Sequence, residues 1–153
     1  MIIPSSPPQA KERRISSSRF WPDIEPTAIR LQQRIDNTIP PERLRTALIE
    51  SIASVNNALL QWRQTHEASG VESLEEIQAE EIDGTSIHVH RYQRAVGCLA
   101  KALLLERLRD FDATGKGERK AEFLTDPIDD CRRDHLAAIA DIVGRNRITV
   151  ELI

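Results

Sequence analysis

YQRAVGCLAKALLLERLRDF, residues 92–111, decides the fold of this 153-residue chain. The stretch holds no proline and a single glycine, Gly97. Tyr92, Val96, Leu99 and Leu103 recur at spacings of four, three and four, and Ala95, Ala100 and Leu104 broaden the stripe. That period belongs to a helix whose apolar face is wider than a coiled-coil seam. Arg91, Arg94, Lys101 and Glu106 point elsewhere. Such a stretch spans about 30 Å at the helical rise, enough to cross a small domain. It is therefore the central helix, against which the others pack. Thr85 or Ser86 can cap it, with a start as early as Ile87.

Working back from its start, VESLEEIQAEEIDGTS (71–86) reads as an acidic connector with one turn at Ser73–Ile77 and a turn signal at Asp83-Gly84. Before it lies a second long helix, opened by Thr38 or Pro40-Pro41 and ending near Gly70. Leu44, Leu48, Ile52, Val55, Leu59 and Trp62 form its stripe, flanked by the small side chains of Ala47, Ser51 and Ala58. Asn56, beside the stripe, needs a hydrogen-bond partner. A short helix is expected from Pro26, over Thr27 to Ile35, with Ala28, Leu31 and Ile35 on one face. Phe20-Trp21-Pro22-Asp23 precedes it. Each of these two aromatics buries on the order of 150–250 Å², so they are expected to dock, on their own domain or on a neighbour. Residues 1–19 hold three prolines, five serines and a KERR cluster, bury almost nothing, and read as a mobile arm.

After Phe111, residues 112–117 read as a loop. A last helix is expected in two pieces, because Pro127 interrupts it and Asp126 can cap the second piece. Ile128, Cys131, His135, Ile139 and Ile142 form its face, and Gly144 stops it. The ending, residues 147–153 (RITVELI), alternates Ile148, Val150 and Leu152 with Thr149 and Glu151, then closes on Ile153. That is strand patterning with no convincing second strand, and an orphan strand of this kind is expected to pair with another molecule. The fold class is thus all-α: a bundle of about four helices over residues 20–146, an arm over 1–19 and a strand-like docking tail over 147–153.

At 40% hydrophobic and 4% aromatic residues, the core must be aliphatic. A net charge of −3 argues against holding nucleic acid through an overall field. The charge is blocked: residues 1–22 carry +3, 67–83 carry −7, 84–120 carry +4 and 121–143 carry −4. Blocks of this kind usually are solvated faces, but between copies side by side they would set a register. Cys98 and Cys131 lie within helical apolar patterns, so both are expected buried and reduced, as suits the cytoplasm. The start of the chain has the wrong order of apolar and basic residues for a secretory signal, and no apolar run approaches a membrane span.

Sites of chemistry are sparse. Asp110 to Gly115 opens like a calcium loop, but its twelfth position is Ala121 where a bidentate Glu is needed. His88 and His90 would diverge on a helix. Gly115-Lys116-Gly117 lacks the spacing of a phosphate loop, and no serine elbow or Cys–His signature is present. His135 on an apolar face reads as a core histidine. No catalytic residue, metal or cofactor is expected.

The order of particular residues goes further. Phe20-Trp21-Pro22-Asp23, Val55-Asn56 and Trp62 are followed by Tyr92-Gln93-Arg94-Ala95-Val96 and Ala100-Lys101-Ala102. Glu106 to Asp112, Arg132-Arg133-Asp134, Gly144-Arg145 and Arg147 to Ile153 complete the set. In this order, from about residue 20 to the end, the chain resembles the head completion proteins of P2-like tailed bacteriophages (the GPL family). The resemblance implies a non-enzymatic virion protein at the head–tail junction, assembled in the host bacterial cytoplasm. Copies would add as a ring to the portal protein after DNA packaging, with matching twelve-fold symmetry. They would close the head and form the docking surface for a tail terminator or tail completion protein. Packaged DNA would pass through without sequence-specific binding, and no membrane is involved.

In such a ring Arg91, Arg94, Lys101 and Arg107 would face Glu75, Glu76, Glu80 and Glu81 of a neighbour. Residues 148–153 would dock on the portal or the adjacent subunit. The alternative is a small helical DNA-binding or regulatory protein using the Arg91–Arg109 face.

Overall fold

A computed structural model of the chain describes residues 11–113 and 118–145. It is mostly helical, in the order α1 (Pro26–Gln32), α2 (Pro41–Ala58), α3 (Leu60–Ala68), a 3₁₀ turn (Leu74–Glu76), strands β1 (Glu81–Ile82) and β2 (Thr85–Ser86), α4 (Ile87–Ala113) and α5 (Glu118–Val143). The central helix is α4. Residues 95–100 along it are all buried, as expected of a helix covered on more than one side. Tyr92 at its start is fully buried and donates a 2.7 Å hydrogen bond to Asn56 Oδ1, the partner Asn56 needed.

Helices α2 and α5 both run antiparallel to α4. On one flank Asn56 meets Tyr92, and Trp62 lies edge-on to His88 at 5.5 Å. On the other, His135 Nδ1 donates to the Ala95 carbonyl at 2.8 Å, and Arg91 donates to the Asp141 carbonyl at 3.3 Å. The expected stripes are buried, Leu44, Leu48, Ile52, Val55 and Leu59 on the α2 side and Ile128, Cys131, His135, Ile139 and Ile142 on α5, except that Trp62 is only half-buried. Between α2 and α3 the chain bends at Leu59 (φ −98°, ψ 7°), yet Leu59 N–H still reaches Val55 O at 3.0 Å. The bend keeps Leu59 fully buried.

Several expectations need correction. The connector contains a two-stranded antiparallel hairpin, so the fold is not strictly all-α. Asp83 (φ 55°) and Gly84 (φ 70°) both adopt the left-handed conformation, and two such residues in succession turn the flanking chain back on itself. Ser86 Oγ then accepts the His88 N–H at 3.2 Å as the cap of α4. Helix α5 is continuous through Pro127. A proline inside a helix loses one backbone bond and costs about 3 kcal/mol or more, which the apolar face seated along α4 offsets. Helix α4 runs to Ala113, past the expected loop start.

The first helix also differs. It ends after seven residues, at a left-handed Arg34 (φ 53°), where Ile35 N–H bonds Arg30 O at 2.9 Å. This is the Schellman closure, usually built on glycine. Pro26, Ile29 and Arg30 face inward, while Leu31 is 76% exposed. The helix crosses α4 at Gly97, where a Cβ would lie 3.1 Å from Gln33 Cγ. Only glycine admits that approach without displacing Gln33.

Residues 11–19 are not bare of burial, contrary to the reading of 1–19 as an arm that buries almost nothing. Ile15 is 6% exposed and exchanges both backbone bonds with Ile24 (2.8 and 2.9 Å). Glu12 Oε1 accepts from Arg30 Nη2 at 2.8 Å, and Arg30 Nη1 donates to the carbonyls of Asp36 (2.8 Å) and Ile39 (3.0 Å). One guanidinium thus ties the arm, α1 and the entrance to α2. Both side chains are largely withdrawn from water, and removing one member of a buried pair typically costs about 3–5 kcal/mol. Arg30→Met is expected to lose about 3 kcal/mol in urea unfolding, with Glu12→Gln in the same chain recovering part of it. An Arg30→Met loss under about 1 kcal/mol would mean water replaces the pair.

Candidate docking surfaces

Phe20 and Trp21 dock on their own domain. Trp21 stacks on Tyr92 with ring centroids 4.9 Å apart and planes 6° from parallel, and Phe20 packs edge-on to Trp21 at 4.7 Å. Arg63 of α3 lies over the outer face of Phe20, 5.2 Å from its centroid. The Phe20 carbonyl accepts Leu74 N–H at 2.9 Å, pinning the acidic connector beside this cluster. Neither ring is left for a neighbour.

The four acidic residues are all exposed along the connector. Glu75 and Glu76 sit on the 3₁₀ turn, and Glu80 and Glu81 lead into the hairpin. Glu76 also accepts the Glu72 N–H at 3.0 Å. The four basic residues are spread along α4, Arg91 and Arg107 being roughly 24 Å apart by helical rise. Two of them are already engaged within the chain: Arg91 with the Asp141 carbonyl, and Arg94 with Asp134 at 3.8 Å. Lys101 is half-buried and Arg107 is exposed. Within one subunit the two sets are not brought together. The tail, Ile148, Thr149, Val150, Glu151, Leu152 and Ile153, lies outside the described residues, as do residues 1–10 and the centre of the calcium-like loop.

Burial favours the neutral forms of five titratable groups near the core. Burial pushes the Cys98 and Cys131 thiols up and the Tyr92 hydroxyl well above its usual range. Burial lowers His88, aided by Arg91 and His66, and lowers His135 against the bond to Ala95. A histidine whose folded pKa lies below its unfolded value of about 6.5 favours folding least in acid. As pH falls below 6.5 the unfolded chain takes up protons that the folded chain refuses. The melting temperature is therefore expected to fall between pH 7.5 and 5.5, and to fall less in His88→Gln and His135→Gln; equal slopes in all three chains would clear these side chains.

Two features escaped the sequence reading. Ile49 on α2 (51%) and Leu136 on α5 (63%) are exposed apolar side chains on the outer flanks. Among the described residues no group of His, Cys, Asp or Glu is arranged to hold a metal, and no helix is long and apolar enough to cross a membrane.

The family model described as phage head completion protein (GPL) matches residues 15–153. The chain belongs to that family. The match of this head completion protein to its family opens at Ile15, the residue that enters the core beside Ile24, some five residues before the point read from the sequence. Over 153 residues it is 39% identical to the "Head completion/stabilization protein" of Escherichia phage P2, covering 100% of this chain and 89% of that one. It is 32% identical over 91 residues to the "Probable head completion/stabilization protein" of Haemophilus phage HP1 (strain HP1c1), covering 60% and 61% of the two chains. No solved structure matches the head completion protein.

Proposed function

We propose that this head completion protein is a non-enzymatic component of the virion that adds as a ring to the portal once DNA is packaged. The ring closes the filled head and offers the tail its docking surface. Its copies match the portal's symmetry, twelve to a ring, and DNA passes through without base-specific contact. The observation that carries this is the end-to-end correspondence with a phage head completion/stabilization protein. The geometry supports it: a body that buries Phe20, Trp21 and Tyr92 in its own core needs no partner to dock them, so its charged surface is left for assembly.

The DNA-binding alternative draws less support. Of the basic residues on the Arg91–Arg109 stretch, Arg91 and Arg94 are held by α5, and Arg109 lies 3.5 Å from Asp110. Negative-stain images of the full-length protein mixed with its portal test the proposal, rings seated on the portal being the expected result. Absence of rings, together with duplex-DNA binding that weakens steeply with salt, would favour the alternative.

A further inference from the structure

Helices α2 and α5 pack on α4 and have no extended contact with each other, so their outer faces look away from the molecule on different flanks of α4. Each outer face is unusual. On α2 the residues facing out include Ile49, Ala53 and Asn57, continuing to Leu60 after the bend, and the chain is uncharged from 51 to 62. On α5 Leu136 stands 63% exposed, next to Ala137 and Ala140. A large apolar side chain on one flank and a flat patch of small ones on another form a knob and a seat.

The heights agree. Asn56 is level with Tyr92, and His135 is level with Ala95, three residues further along α4. Because α2 and α5 both run antiparallel to α4, Ala53 and His135 lie at about the same height. Leu136 is therefore level with Ala53 and Ser54. Carried along both helices at the same rise, Arg43 comes within one residue of the height of Asp126, and Glu50 within one residue of that of Arg133. All four of these charged residues are exposed, Arg133 while also holding Asp130 at 3.0 Å one turn earlier. Rotation about an axis along the helices keeps α5 of one copy parallel to α2 of the next, and at the same height.

We propose that these faces are the two halves of one head-to-tail interface between copies, with Leu136 seated over Ala53, Ser54 and Asn57 of the next copy. Arg43–Asp126 and Glu50–Arg133 pairs flank the contact. A ring closes through such heterologous contacts, one patch of each copy meeting a different patch of the next. The charges set register and exclude the reversed orientation. The inference rests on the ring reading above and adds which surfaces meet.

The test uses the full-length chain carrying Ala53→Cys and Leu136→Cys, supplied to a phage lacking its own copy. Purified heads are mildly oxidised and run on non-reducing gels. The expected result is a ladder of dimers and larger species from the double variant, and none from either single variant or from the wild type. Heads that contain the double variant but give no ladder would overturn the interface and leave the ring reading standing. Dimers from Leu136→Cys alone would mean like-to-like pairing and would also overturn it. Heads and portals that take up no wild-type chain would remove the ring reading and the interface together. As a second arm, Glu50→Arg is expected to lower incorporation about tenfold, and adding Arg133→Glu to restore it; an unaffected Glu50→Arg chain would count against the pairing.

Discussion

Trp21→Ala is expected to remove about 3–5 kcal/mol of stability, the usual result of emptying a buried aromatic site. A domain of this size has about 5–15 kcal/mol in total, so the loss takes a large share of it. The site justifies the upper part of that range. Trp21 is 4% exposed and is the middle ring of three, stacked on Tyr92 and edge-on to Phe20. Aromatic pairs of this geometry add about 0.5–1.5 kcal/mol beyond their area. Tyr92 in turn holds Asn56 of α2, and Phe20 holds Leu74 through its carbonyl, so the cavity loosens contacts on several segments. One term opposes. Trp21 Nε1 is buried without a partner, a burden of about 1–3 kcal/mol that Ala removes. Trp21→Phe removes the same burden while keeping a ring, and is expected to stay within about 1.5 kcal/mol of the parent. Urea unfolding followed by circular dichroism checks both; a Trp21→Ala chain as stable as Trp21→Phe would show that the stack contributes little.

Deletion of residues 147–153 is expected to leave a folded helical body and to abolish incorporation into heads. The face of α5 that precedes this segment packs on α4: Ile139 and Ile142 are buried, and Gly144 (φ 75°) closes α5 with Arg145 N–H on the Ala140 carbonyl at 3.0 Å. A strand-patterned segment added to another sheet gains affinity from main-chain hydrogen bonds, and specificity from alternate side chains, here Ile148, Val150 and Leu152. Its removal takes all of these at once, so the loss should be near complete rather than graded. The readout is the amount of truncated chain in purified heads, beside its melting curve. Full, tail-competent heads built with the truncated protein would refute the docking role of the tail.

The two deletions of contact act on different links of the chain of cause, and so did the reading of the sequence. Periodicity placed α2, α4 and α5 because a stripe at helical spacing is a local property of the chain. Asn56 was marked for a hydrogen bond for the same local reason: it sits beside the stripe at Val55, and a polar group there must be satisfied. Asp83-Gly84 marked its turn by backbone preference alone. The exposed site faces were less legible, since an outward Leu136 and a buried Ile139 look alike until the direction of burial is known.

Helix positions, the connector's turns and the membership cues were thus determined by the sequence itself, because each depends on residues within one or two helical turns. Where non-periodic segments go was decided only by tertiary structure. Ile15 pairs with Ile24 across a turn, Arg30 finds Glu12, and Trp21 finds Tyr92 some seventy residues away. Pro127 stays inside a helix because α5 packs along α4, with Ile128 and Cys131 buried just after the proline. Those outcomes are set by competition among distant partners for the same buried volume, and no local pattern records who wins.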